Sequence, residues 1–217
     1  MSPAVTIGYI SYEQTRIQAG EFLKTYHPSL TLPVPIERII ELQLKINVIP
    51  LPGLVKDFKS VGAECLGFLS SDLSGIYIDH HIWESHNLLY RSTLAHEIGH
   101  MVLHKEYFEN RPFNDAASFK SFVSDMQQDG SSLSRFEIQA NNFAGLILVP
   151  QKKLLEVIEK TAPDFRVRIR TPGLANISED EAWEFYCEQI AKEFEVSYFV
   201  IAKRVELEKL KPSIKLI

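Results

Sequence analysis

Apolar residues recur along most of this chain at spacings of three and four, the period of a helix with one buried side. Ile17, Phe22 and Leu23 mark a first such stretch over residues 12–26. Ile36, Ile39, Ile40 and Leu44 mark a second over 36–45, with Pro35 in its first turn, where a missing N–H costs nothing. The pattern then changes. Residues 48–51, 65–69 and 75–79 are short strand-like runs. Pro52-Gly53 closes the first, and Ser70 to Ser74 joins the other two as a hairpin. A small mixed sheet of three strands is the expectation.

The helical period returns over 87–104. At about 100° per residue, Leu94, Ile98, Met101 and Val102 fall on one side. Thr93, His96, Glu97, His100 and His104 fall on the other. Residues 108–134 are rich in Asn, Asp, Ser and Gln and read as an insertion, helical near 118–126 and otherwise loop, with a turn over 129–132. A helix over 133–148 ends before Pro150. Another is expected over 150–160, then an irregular or strand-like link over 163–173. Ser178-Glu179-Asp180-Glu181 is a capping box that opens a helix to about Phe194, and Ser197 is placed to cap a last one to about Lys209. The division this predicts is a core over 1–160, carrying the insertion 108–134, and a helical C-terminal segment over 161–217 packed on it. Residues 190–205 have the rhythm of a helix-turn-helix.

Composition adds exclusions. Hydrophobic residues at 45% and charged residues at 24% are ordinary for a globular protein. A net charge of −5 argues against non-specific nucleic-acid binding, which needs a basic face. No run approaches the ~18 apolar residues of a membrane helix, and the first twenty residues lack a basic stretch followed by an apolar one. With Cys65 and Cys187 far apart and read as reduced thiols, the expectation is a cytoplasmic protein.

The chemistry begins at His96-Glu97-Ile98-Gly99-His100, the zincin pattern. Histidines four apart on one helix share a face and can meet one ion. Glu97 lies beside them, within reach of a water whose pKa zinc lowers to about 7. A catalytic zinc takes a third protein ligand and keeps one position open. His104 is one turn too far along a straight helix, and the metzincin spacing fails because position 106 is Glu. The third candidate is Glu137, a carboxylate in a helix that reads as apolar nearly all round and therefore buried. Burying it unpaired would be expensive. Its alternative partners are Arg135 or Arg166. Ala140 and Ala144 share its stripe and would let another helix approach closely. Asn141 could accept a hydrogen bond from the non-ligating N–H of a metal-bound histidine. For the oxyanion donor the candidates are His80, His81, His86, Tyr90 and Tyr107. The 75–79 strand is a candidate edge for an extended substrate.

Four stretches make the chain resemble the ImmA/IrrE family of metallopeptidases. They are Arg91 to His100 with Leu103-His104, Glu137 with Ala140-Asn141, Phe143-Ala144 and Val149-Pro150, Leu32 to Ile40, and Val196-Ser197 with Ala202 and Arg204. The resemblance implies an α+β, zincin-like core with a small mixed sheet, an active-site helix, a second ligand-bearing helix and a helical C-terminal end. It implies one zinc ion held by His96, His100 and Glu137, with Glu97 as general base. It implies a protein substrate, a helix-turn-helix repressor; the lack of a long apolar run gives the further expectation of no membrane partner. Two readings of other classes stand beside it. One is a DNA-binding regulator acting through the C-terminal helices, where Lys192, Lys203, Arg204 and Lys209 are offset by Glu193, Glu195, Glu206 and Glu208. The other is a non-catalytic zinc-binding interaction protein.

Overall fold

The computed structural model describes residues 6–59, 62, 65–85, 87–109, 112–127, 131–171 and 177–217. The fold is α+β: mostly helical, around a mixed three-stranded sheet, as a zincin-like core requires. The first helix, α1 (Tyr12–Tyr26), opens with a complete capping box between Ser11 and Gln14. The next, α2 (Ile36–Arg38), continues as a π-helical stretch over Ile39–Leu44 and stops at Lys45, which takes a left-handed conformation with φ 58°. Ile36, Ile39 and Ile40 are fully buried.

Strands β1 (Asn47–Leu51), β2 (Gly67–Leu69) and β3 (Gly75–Asp79) lie in the order β1-β3-β2. The hairpin β2–β3 is antiparallel, with Phe68 opposite Tyr77, and β1 is parallel to β3. The sheet is therefore mixed, as expected. One expectation falls here: β3 is central and paired on both edges, so it offers no edge to an extended substrate.

Short helices without a sequence expectation behind them include α3 (Leu54–Lys59) and α4 (His80–Ser85). The predicted active-site helix is α5 (Leu88–Leu103), whose N-cap Asn87 accepts hydrogen bonds from Leu89 and Tyr90 backbone N–H groups. It is followed by α6 (Lys105–Glu109) and α7 (Ala116–Gln127).

The expected insertion corrects in character. Phe108, Phe113, Phe119, Phe122, Val123 and Met126 are all buried. Phe119 stacks on Phe68 of β2 at 4.7 Å between ring centroids, and Phe122 meets Phe136 at 5.9 Å. The Ser, Asp and Asn residues lie between aromatic positions that belong to the core. The helix expected near 118–126 is α7, which forms a wall of the fold, and residues 129 and 130 of the expected turn lie outside the described residues.

Helix α8 (Ser132–Leu148) is followed by α9 (Gln151–Ile169). The expected link over 163–173 is helix as far as Ile169, and α9 runs unbroken past position 160 with Pro163 inside it. Gly173 lies outside the described residues. A proline inside a helix loses a hydrogen bond and crowds the preceding turn. Here Leu154, Ile158, Ala162, Phe165 and Ile169 stay buried on one stripe across it, and packing overrides the local cost.

Ser178 and Glu181 form the predicted capping box of α10 (Glu179–Phe194). Glu195 turns the chain with φ 49°, and Ser197 precedes α11 (Tyr198–Leu207) in cap position without a side-chain hydrogen bond. These helices pack against each other, α10 also on α9 and α11 on α8. Among the described residues no helix is long and apolar enough to cross a membrane.

Candidate metal centre

The site is built on the contact between α5 and α8, the most extensive helix pair in the fold. Its closest point is Gly99 against Ala140. A Cβ on Gly99 would lie 2.8 Å from the Ala140 carbonyl oxygen and 2.9 Å from its Cα. Only glycine lets the two backbones come this near. The predicted small-residue stripe of α8 has its counterpart inside the His-Glu-x-x-His motif itself.

This contact places the ligating side chains. His96 and His100 flank Gly99 at −3 and +1 on α5, while Glu137 and Asn141 flank Ala140 at −3 and +1 on α8. Residues three and four apart share a helix face, so all four point to one side of the contact. His96 Nε2 is 2.9 Å from His100 Nε2 and 3.1 Å from Glu137 Oε2; His100 Nε2 is 4.0 Å from Glu137 Oε1. Ligand atoms of His96, His100 and Glu137 all lie within 4.8 Å of one another. Arg135 and Arg166, the alternative partners of Glu137, instead donate to the Ile7 and Lys215 carbonyls. The expectation that Glu137 is buried needs correction: 41% of its side chain is exposed, because it stands at the mouth of a cleft.

Asn141 does what its spacing suggested. Its Oδ1 lies 3.0 Å from His96 Nδ1, which can donate to it and leave Nε2 turned inward. Burial disfavours the charged form of His96, but the hydrogen bond and charge of Glu137 outweigh it and raise the ring's pKa to about 9. Burial lowers that of His100 well below the usual imidazole value, with the neighbouring imidazoles acting in the same direction.

Glu97 is buried beside them. The Leu69 N–H of β2 donates to its Oε2 at 2.9 Å, which fixes the carboxylate and leaves Oε1 for other contacts. Gly67 lets β2 approach α5, since a Cβ there would lie 3.0 Å from Thr93 Cγ2. Burial raises the Glu97 pKa to about 7, which poises it to take and return a proton near neutrality.

The cleft over these residues has a volume of about 520 Å³. Its lining combines the polar His96, Glu97, His100, Glu137 and Asn141 with apolar residues, Phe58 of α3, Leu89 of α5, Phe119 and Val123 of α7, and Leu133 of α8. Two carboxylates face it, and no Lys or Arg is among its described lining residues. A site with two imidazole nitrogens, one carboxylate and an excess of negative charge fits a divalent cation, and zinc by its donor types.

The expected oxyanion donors do not gather here. Tyr90 is buried and donates its hydroxyl to Glu37 Oε1 at 2.9 Å. The Tyr107 hydroxyl accepts from the Gly8 N–H at 3.0 Å. His80 and His81 open α4 and, with Glu84, make a separate surface cluster of potential ligand atoms. None of the four is among the described residues lining the cleft. His86 lies outside the described residues.

His104, dismissed as a ligand by its spacing, is nonetheless fully buried against the site, with its Nδ1 2.9 Å from His100 Nδ1 and its Nε2 2.8 Å from Gln139 Oε1. No sequence expectation named Gln139. The one signal was its position two residues from Glu137 in the same apolar helix.

Residues 76–206, well over half of the chain, match the family model Peptidase_M78, described as the IrrE N-terminal-like domain. The matched span begins in β3 and contains His96, Glu97, His100, Glu137 and Asn141. No curated protein and no solved structure matches.

Proposed function

The chain belongs to the Peptidase_M78, or IrrE N-terminal-like, family, a family of metallopeptidases, and from that premise we propose that it is a zinc-dependent endopeptidase acting on a regulatory protein. His96, His100 and Glu137 hold the metal and Glu97 is the general base. The observation that carries this is the convergence of three donor atoms within 4.8 Å at a cleft whose adjoining buried carboxylate is anchored to β2.

When bound, zinc supplies Lewis acidity: it lowers the pKa of water to about 7 and polarises the scissile carbonyl. The rest falls to the chain. Glu97 Oε2 is held by the Leu69 N–H, so its free Oε1 takes the proton of the attacking water and passes it to the leaving amine. Asn141 orients His96. The apolar lining of Phe58, Phe119, Val123 and Leu133 excludes water and suits an apolar substrate side chain beside the scissile bond. A helix-turn-helix repressor with an accessible apolar segment is the substrate class proposed.

The alternative of DNA binding through α10 and α11 draws little support from the side chains. Arg204 is buried and directed at the Val149 carbonyl, Tyr12 and Glu208, and Lys203 pairs with Glu206 at 3.0 Å. The Arg204 guanidinium is thus turned away from any phosphate, and the exposed Lys203 has an acidic neighbour on the same face.

Glu97→Gln separates a peptidase from a non-catalytic zinc protein. The expectation is about one zinc per chain in both wild type and variant, with hydrolysis of a peptide library or a co-expressed repressor reduced about 10²–10⁴-fold in the variant. Undiminished hydrolysis in Glu97→Gln, or zinc-loaded wild type that cleaves nothing, would refute the assignment.

A further inference from the structure

A chain of hydrogen bonds runs from the N-terminal segment to a ligand histidine, and its direction can be read from its far end. The Gly8 carbonyl can only accept. It lies 2.9 Å from Gln139 Nε2, so the amide nitrogen of Gln139 must face it and Gln139 Oε1 must face the other way. That oxygen, also able only to accept, lies 2.8 Å from His104 Nε2, which therefore carries a hydrogen. His104 is fully buried, stacked 4.4 Å from the Phe136 ring, and makes its two hydrogen bonds to an amide and an imidazole. A neutral ring with hydrogen on Nε2 has a lone pair on Nδ1. The contact of 2.9 Å to His100 Nδ1 is then satisfied only if His100 donates from Nδ1. His100 Nε2 is left with its lone pair directed at His96 Nε2 and Glu137.

We propose that Gly8, Gln139 and His104 form a relay that fixes His100 in the Nδ1–H tautomer, the form whose Nε2 can ligate a metal. His104 and Gln139 are positioning residues for the metal centre, and the origin of the relay is a backbone carbonyl. The segment carrying it is pinned by three further bonds, Ile7 N–H to Ser132 Oγ at 3.0 Å, Gly8 N–H to the Tyr107 hydroxyl at 3.0 Å and Arg135 Nη1 to the Ile7 carbonyl at 3.3 Å. Gly8 lies outside the span of the family match. On His96, Asn141 Oδ1 faces Nδ1 at 3.0 Å and holds a hydrogen there. The solvent-accessible ligand thus has a one-residue support and the buried ligand a three-residue one. The proposal rests on the metal-site reading given above.

The test uses the full chain, metal-free, with ¹⁵N-labelled histidine. Two-bond ¹H–¹⁵N correlations distinguish Nδ1–H from Nε2–H rings, and zinc affinity is measured separately by competition with a chelating indicator. Metal-free wild type should show His100 as Nδ1–H and His104 as Nε2–H. His104→Phe keeps a ring on Phe136 but offers no acceptor; His100 should shift towards Nε2–H and the zinc Kd rise about 10–100-fold. Gln139→Met should act in the same direction more weakly, and it serves where His104→Phe does not fold. His100 found as Nε2–H in wild type overturns the relay, as does a folded variant with an unchanged His100 tautomer or an unchanged zinc Kd. A wild type that binds no zinc refutes the metal-site reading instead, and the tautomer pattern still tests the relay by itself.

Discussion

Helix α8 touches two clusters of buried polar side chains, and they are built on different plans. Near its C-terminal end, Arg204 reaches the Val149 carbonyl, Tyr12 and Glu208, and Arg16 reaches Glu208 at 3.0 Å and Glu13 at 3.2 Å. Two guanidiniums meet two carboxylates, so charge is matched within the cluster. Nearer its start, Glu137 faces His96, His100 and Glu97 with no Lys or Arg among the described residues lining the cleft. Two imidazole nitrogens and a carboxylate oxygen converge there within 4.8 Å of one another. A buried ion pair that balances its own charge is a structural device. A set of imidazole and carboxylate donors that meet at one point has the donor types that hold a divalent cation. The pair at the heart of the first cluster is sealed, with Arg204 and Glu208 side chains 2% and 3% exposed, although Glu13 at its rim is 68% exposed; in the second, Glu137 is 41% exposed at the cleft mouth.

The largest predicted effects test whether that contrast is real. Zinc at about 1,000 times its Kd should stabilise the chain by about 4 kcal/mol, read as a shift in the chemical-denaturation midpoint. His100→Ala and Glu137→Ala should each remove most of that increment. Arg204→Met should do the reverse. It should lower metal-free stability by about 3 kcal/mol, the lower end for a broken buried pair because Arg16 still reaches Glu208, and leave the zinc increment intact. A zinc increment that survives Glu137→Ala, or one lost in Arg204→Met, would erase the distinction between the clusters.

How much of this could be read from the sequence depends on the range of the interaction. Histidines four apart and a Glu between them are a local fact, and α5 follows its predicted bounds within one residue at each end. Both capping boxes were equally local, and only the one at Ser178 was recognised beforehand. Glu137 and Asn141 were legible because a polar residue in an apolar helix needs a reason, although the reason proved to be a cleft and not burial. The order of the three strands was not legible, and with β3 in the middle its predicted substrate edge disappears. The helix expected near 118–126 is α7, but its burial is not legible, because its composition is polar on average while its phenylalanines sit at core positions. Gly8 and Gln139 are 131 residues apart, and no local pattern links them.

A more moderate effect should follow at the helix contact itself. Gly99→Ala places a methyl group 2.8 Å from the Ala140 carbonyl, closer than real Cβ atoms come to backbone. Helices α5 and α8 must then separate by a few tenths of an ångström or more. The cost in metal-free stability should be about 1–3 kcal/mol by the usual measure of overpacking. Because His96 and His100 move with α5 while Glu137 moves with α8, zinc affinity should fall as well. The Arg204 cluster joins α8 to α11 and α1, so its own contribution should be unchanged. An additive double variant with Arg204→Met would show this, since sites that share no partners combine independently. Strong non-additivity would mean that the two clusters are one mechanical unit.

The smallest predicted effect is the control that both clusters need. Ser178 caps α10 through a reciprocal box, accepting from the Glu181 N–H at 3.3 Å while Glu181 accepts from the Ser178 N–H at 2.8 Å. Helix α10 packs on α9 and α11 and supplies no residue to the cleft. Ser178→Ala should therefore cost about 1 kcal/mol of metal-free stability, the ordinary value of a lost N-cap, and leave both the zinc increment and the zinc Kd where they are in wild type. If so small and distant a loss did change zinc affinity, metal binding would be reporting the stability of the whole chain and not the geometry of α5 against α8. The contrast between a self-balanced cluster and a cation-seeking one would then have to be drawn from zinc contacts alone, with every variant compared at equal global stability.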